Sequence, residues 1–197
     1  MDPHTPTFDA MSIDPLWLDF TAAESIKVDS FFAMWQLEDG ATILEPGCGT
    51  GRLTARLAAC AGPRGRVLAC DRAPQMIAKA RARNLPAWVE FRQAPVLDLD
   101  LPPASFDSII CFNVLPHLVP LPIHLALFQA WLKPGRRLWI CHTASRAYIN
   151  SIHAEAGMND HLLPDLPTLS EQIAQAGLRL VDAHDGEQIY WACAEKM

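Results

Sequence analysis

At 197 residues, half of them hydrophobic, the chain has the apolar content to fill one domain core, which excludes a disordered or purely solvating protein. Its formal net charge of -6 argues against broad electrostatic binding to nucleic acid or anionic membranes, because phosphate contacts need a basic surface, and leaves only a local basic patch open. The six cysteines, Cys48, Cys60, Cys70, Cys111, Cys141 and Cys193, form no C-x-x-C pair and sit largely in apolar runs, which predicts reduced, buried thiols rather than a disulfide frame or zinc ribbon.

Residues 1 to about 14 are rich in proline and polar residues and read as a loose arm. They show no basic segment followed by an apolar one, and no apolar run in the chain is long enough to span a bilayer, so the expected location is cytoplasmic. From Pro15 to Trp35, Leu16, Trp17, Phe20, Ile26, Val28, Phe31, Phe32 and Trp35 recur at mixed helical intervals, predicting one or two helices. Residues 1–36 thus form a leader to a single domain over 37–197.

Ile43 and Leu44 begin a short buried strand that ends in Glu45-Pro46-Gly47-Cys48-Gly49-Thr50-Gly51. Three alternate glycines before a helix make a turn that reaches left-handed backbone angles and lets a ligand lie against the main chain. The G-x-G-x-G spacing differs from the dinucleotide G-x-G-x-x-G, since Arg52 stands where the last glycine would fall, and no Gly-Lys-Ser/Thr of a P-loop follows. A helix over 53–61 is broken by Gly62-Pro63-Arg64-Gly65. The apolar strand Arg66–Cys70 then runs into Asp71, twenty residues past Gly51 and placed either to accept from ribose hydroxyls or to cap the helix 73–81, which has Pro74 near its start.

Further strands are predicted at 88–91, 106–113, 137–141, 178–182 and 188–194, with helices at 122–132, 142–153 and 168–176. Apolar strands alternating with helices are the pattern of a buried parallel sheet in an α/β domain, and the last two strands, joined through Asp185-Gly186, read as a hairpin.

Four segments resemble the class I S-adenosylmethionine-dependent methyltransferases over residues 40 to 195: the E-x-G-x-G-x-G run from Glu45, C-D-R-A-P-Q-M-I-A-K-A-R from Cys70, F-D-x-I-x-C-x-x-V-x-x-H from Phe106, and L-K-P-G-R-R-L-W-I from Leu132. The resemblance implies a Rossmann-like α/β fold with a seven-stranded sheet of order 3-2-1-4-5-7-6, strand 7 antiparallel, and helices on both faces. It implies S-adenosylmethionine as cofactor and methyl transfer to a small molecule. Carried over position by position, the cofactor residues are Glu45, Gly47, Cys48, Gly49, Gly51, Asp71, Arg72, Met76, Ala94, Pro95 and Asn113. Pro95 departs from the family pattern, which has an acid there for the adenine amino group; Asp98 or a backbone group then substitutes. Asn113 is expected near the methionine part of the cofactor and His117 at the active-site edge. The leader is expected either as a lid or as a helix covering a sheet edge.

His117, His142, His153 and His161 fall at or after the ends of strands four and five. Imidazoles there suit a base for the acceptor, a hydrogen-bonding contact or structural packing, with His117, His142, His153 and Arg146 as the catalytic candidates. No local metal motif such as H-E-x-x-H occurs, so no metal is expected unless His117, His142, His153 and His161 converge in the fold. Arg146 suits either a substrate carboxylate or an exposed helix surface. A small-molecule acceptor is expected, with no nucleic acid or membrane partner, in a monomer or homodimer; the fourth strand ends in Phe112-Asn113-Val114-Leu115-Pro116 rather than the D/N-P-P-Y run of nucleic-acid amino methylases. Two alternatives remain: a cofactor-binding module without turnover, and a nucleotide-dependent oxidoreductase on the same fold.

Overall fold

The computed structural model describes residues 18–197, so the expected arm and the leader positions Leu16 and Trp17 lie outside the described residues. The strands form one seven-stranded sheet of order β3-β2-β1-β4-β5-β7-β6. The chain divides into two compact units, one ending at Asp100 and the other beginning at Leu101.

In the first unit, helix α1 (Ala22–Trp35) opens with a capping box, in which the Thr21 hydroxyl accepts the Glu24 N–H and the Glu24 carboxylate accepts the Thr21 N–H. Its buried Val28, Phe31 and Trp35 recur at helical spacing. Parallel strands β1 (Thr42–Pro46), β2 (Arg66–Asp71) and β3 (Val89–Gln93) follow, with helix α2 (Arg52–Ala61) on β1 and β2 and α3 (Pro74–Ala82) on β2 and β3. Ile43, Leu44, Val67 and Leu68 of the strands and Leu53, Leu57 and Ile77 of the helices are all essentially fully buried. Full burial of such a side chain contributes roughly 1.5–3 kcal/mol.

In the second unit, β4 (Phe106–Phe112) pairs parallel with β5 (Leu132–His142), and β7 (Tyr190–Lys196) lies antiparallel between β5 and β6 (Leu178–Asp185). Helix α4 (Leu121–Trp131) packs on β5 and on α6 (Leu166–Gln175), while α6 also packs on β6. Between β4 and α4 a short 3-10 turn holds Leu115–His117, and α5 (Arg146–Glu155) follows β5.

Two boundaries differ from the sequence expectation. The Lys133-Pro134-Gly135 turn does not precede β5 but bulges from it: the register steps from Phe106 opposite Leu132 to Ser108 opposite Arg137. Proline has no N–H for the ladder and Gly135 sits at φ 72°, so these residues loop out while Lys133 and Arg136 both pair with Asp107. His142 ends β5 instead of starting a helix, because Ser145 caps α5 by accepting the Tyr148 N–H.

Candidate active site

Gly47, Gly49 and Gly51 all take left-handed backbone angles, with φ of 68°, 54° and 77°. They do so for different reasons. A Cβ on Gly51 would stand 3.1 Å from Ala80 Cβ and 3.3 Å from the Phe91 ring, so this glycine lets α3 and β3 close on the start of α2. A Cβ on Gly49 would meet nothing nearer than the Met76 sulfur at 3.9 Å, which leaves its face open to a ligand. The turn is pinned to β2 twice: Cys48 N–H donates to the Cys70 carbonyl at 2.9 Å, and Gly49 N–H to Asp71 Oδ2 at 2.9 Å.

Asp71 therefore does more than the sequence suggested. Its other oxygen accepts the Ala73 N–H at 2.9 Å, so one carboxylate ties the glycine turn to the β2–α3 connection. Arg72, beside it, is half-buried, and Met76 is buried in the first turn of α3. Ala94 N–H donates to the Asp71 carbonyl at 3.0 Å, which sets the loop after β3 alongside the same strand end; Pro95 is exposed there and starts the turn Val96–Asp98.

Glu45 and Cys48 point their side chains inward. Glu45 is 2 % exposed, and Oε2 accepts the Thr54 hydroxyl at 2.6 Å. Burial raises its carboxyl to about 8, against the Thr54 hydrogen bond and with a further push from the Asp71 charge. It is a mostly protonated group at neutral pH. The Cys48 thiol packs with Ala69 and Ile77, and burial pushes it well above the ordinary thiol range. Its main chain, not its sulfur, serves the turn.

The leader helix is fastened to this end of the unit. Arg52, next to Gly51, pairs with Glu24 at 3.2 Å and stacks over the Phe20 ring at 4.4 Å, while Arg56 pairs with Asp29 and lies over Phe32. Arg83 bridges the Thr50 carbonyl, at 2.6 Å, to the Leu18 carbonyl.

In the second unit, Asn113 adopts φ 52° and clamps Thr143: Oδ1 accepts the Thr143 N–H at 3.0 Å and Nδ2 donates to the Thr143 hydroxyl at 3.1 Å. The side chain expected to face the cofactor thus holds the ends of β4 and β5 together.

The four singled-out histidines come together from four segments. The ring centroid of His117 lies 5.0 Å from that of His153 and 5.6 Å from that of His161. His153 Nδ1 bonds to the His161 carbonyl, and since a carbonyl only accepts, Nδ1 carries the proton. His142 is 2 % exposed, its ring 6.1 Å edge-on from Tyr190, and burial followed by the neighbouring His153 lowers it to about 3. Its Nε2 is buried and makes no hydrogen bond among the described residues. No group of three or more His, Cys, Asp or Glu among the described residues is arranged to hold a metal ion.

Arg146 Nε donates to Asp185 Oδ2 at 2.6 Å, a bond that raises the guanidinium further. Sequence reasoning missed the groups that fix the histidines. Asn150 grips Leu163 through both backbone groups, Nδ2 to the carbonyl at 3.0 Å and Oδ1 from the N–H at 2.8 Å, and the Tyr190 hydroxyl donates to the Pro164 carbonyl at 3.1 Å. A polar Asn one turn before His153 was the available signal.

Known proteins resemble this chain in sequence and in fold. The family described as a methyltransferase domain matches residues 43–135. A ubiquinone biosynthesis O-methyltransferase of Xylella fastidiosa is 34% identical over 71% of this chain and 52% of its own length. The O-methyltransferase cnsE of Penicillium expansum is 28% identical over 74% of the chain and 55% of its own length, so the chain spans about half the length of these relatives. Among solved structures, a 1,6-didemethyltoxoflavin-N1-methyltransferase of Burkholderia thailandensis superposes with a TM-score of 0.70 at 23% identity, covering 98% of this chain and 87% of that one. Residues 43–135 thus carry a methyltransferase domain, on a sheet whose order is that of the class I, Rossmann-like methyltransferase fold.

Proposed function

We propose that this protein transfers the methyl group of S-adenosylmethionine to an oxygen atom of a small molecule. The observation that carries the reading is the Gly49–Asp71 bond, which presents an open left-handed glycine and a carboxylate side by side at the ends of β1 and β2. Gly47, Gly49, Asp71, Met76 and the Ala94-Pro95 segment are the residues that would hold the cofactor. Asp71 is a carboxylate at the end of β2 beside the glycine turn, a position that suits ribose hydroxyls. When bound, S-adenosylmethionine supplies an electrophilic methyl group, and the chain's own part is to orient an acceptor and manage its proton.

The two O-methyltransferases among the relatives support oxygen as the receiving atom, and the acidic chain supports a small acceptor over nucleic acid. Incubation with methyl-labelled S-adenosylmethionine and a panel of phenols, carboxylic acids, amines and thiols tests the reading. Label in an oxygen-methylated product, with release of S-adenosylhomocysteine, is the expected result. Binding of the cofactor without transfer to any panel member would favour the cofactor-binding module instead.

A further inference from the structure

The glycine turn of the first unit is held from one more side, by a residue outside the motif that forms it. Arg83 follows α3, where its N–H bonds to the Ala80 carbonyl and Asn84 turns the chain away with φ 50°. All three nitrogens of its guanidinium are engaged: Nε donates to the Thr50 carbonyl at 2.6 Å, Nη2 to the Leu18 carbonyl, and Nη1 pairs with Asp19 at 3.3 Å. Gly51 N–H in turn donates to the Cys48 carbonyl at 3.0 Å, so the Thr50–Gly51 peptide is clasped on both edges. Arg52 ties the other flank of Gly51 to the leader, through Glu24 and the Phe20 ring. The charges of Arg52 and Arg83 repel each other, and Glu24 and Asp19 offset that repulsion. Residues 18–24 are thus bonded to both neighbours of Gly51, to Thr50 through Arg83 and to Arg52 directly.

We propose that Arg83 is a positioning residue of the cofactor site, one that couples docking of leader residues 18–24 to the shape of the Gly49-Thr50-Gly51 turn, so that leader docking and cofactor binding strengthen each other; the inference rests on the methyl-transfer reading above. A turn built on left-handed glycines has much backbone freedom to lose when it is ordered. A charge-assisted bond to the buried Thr50, roughly twice as strong as a neutral one, removes part of that freedom before a ligand arrives. Because the guanidinium nitrogens are fixed in one plane, the same bond sets where the Leu18 carbonyl must lie. Asp19 is largely exposed, so its ion pair adds little and the Leu18 carbonyl is the main tie to the leader. Linkage is reciprocal: whatever leader docking adds to cofactor affinity, the cofactor adds to leader docking. An arginine that served only the fold would stabilise it equally with and without ligand.

The test is hydrogen exchange over residues 18–28 with and without S-adenosylhomocysteine, in wild type, Arg83→Lys and Arg83→Ala, alongside calorimetric titration and a thermal melt of each. In wild type the ligand should slow exchange over this segment at least about threefold. Arg83→Ala should exchange faster there without ligand, bind S-adenosylhomocysteine about tenfold more weakly, and lose the ligand-dependent slowing. Arg83→Lys, whose single ammonium can meet the Thr50 carbonyl without spanning to Leu18, should recover part of the affinity and none of the slowing. Slowing that survives in Arg83→Ala, or affinity within about twofold of wild type, overturns the inference even where the variant melts lower. If Arg83→Ala does not fold, Arg83→Gln is read in its place with the same outcomes. Wild type that binds S-adenosylhomocysteine with no change in exchange over 18–28 removes the linkage alone, whereas wild type that does not bind it removes the cofactor reading and the linkage together.

Discussion

Asp71 holds the glycine turn from the neighbouring strand: Oδ2 accepts the Gly49 N–H and Oδ1 the Ala73 N–H, both at 2.9 Å. A carboxylate so oriented is already in place before any ligand arrives, which reduces the ordering that binding must supply. Asp71→Ala removes both bonds and the charge, and should weaken S-adenosylhomocysteine binding by about 1–3 kcal/mol. Asp71→Asn keeps a carbonyl oxygen for one N–H and should lose less. Calorimetric titration checks the order; wild-type affinity in both variants would contradict the assignment.

Glu45 gives the chain a pH-dependent stability whose sign is unusual for a carboxylate. Its folded value of about 8 lies above the ordinary 4.5, so the folded state holds the proton more tightly than the unfolded chain does. Its contribution is full below pH 4.5 and is lost as pH rises toward 8, by on the order of 3–5 kcal/mol. Glu45→Gln can still accept from Thr54 and does not titrate. Denaturant melts from pH 5 to 8.5 should show a smaller fall in stability for this variant than for wild type.

The glycines at 49 and 51 should separate affinity from stability. Gly51→Ala combines a left-handed residue with a crowded Cβ and should cost about 2–4 kcal/mol of stability. Gly49→Ala meets no such crowding and should cost about 1–2 kcal/mol, yet lose more cofactor affinity because its Cβ occupies the open face. Thermal melts and calorimetry on the pair measure both quantities.

Asn150→Ala leaves the Leu163 N–H and carbonyl without their side-chain partner and should destabilise the protein by about 1–3 kcal/mol. Freed from that grip, the loop bearing His161 should exchange its amides faster, which hydrogen exchange at 157–165 would report. Exchange unchanged from wild type would show that other contacts hold the loop.

Much of this was readable from local chemistry. The alternate glycines, Asp71 at a strand end and the strand–helix alternation are short-range signals, and the sheet order followed from the family they resemble. Side-chain direction was not readable. Glu45 and Cys48 belong to the binding motif by position but face the core, and Asn113 bonds across to Thr143, thirty residues away. Nor was the pairing of Arg146 in α5 with Asp185 of β6, 39 residues away, readable. The histidines illustrate the same limit, since their spacing of 25, 11 and 8 residues carries no periodicity and only the fold brings the rings within 5.0 and 5.6 Å.

The most direct test is calorimetric titration of the purified chain with S-adenosylmethionine, S-adenosylhomocysteine and NADH. The structure's glycine turn and Asp71 predict saturable one-to-one binding of the first two, weakened in Asp71→Ala, and no heat with NADH. No binding of either sulfur compound, or saturable binding of NADH alone, would contradict the account.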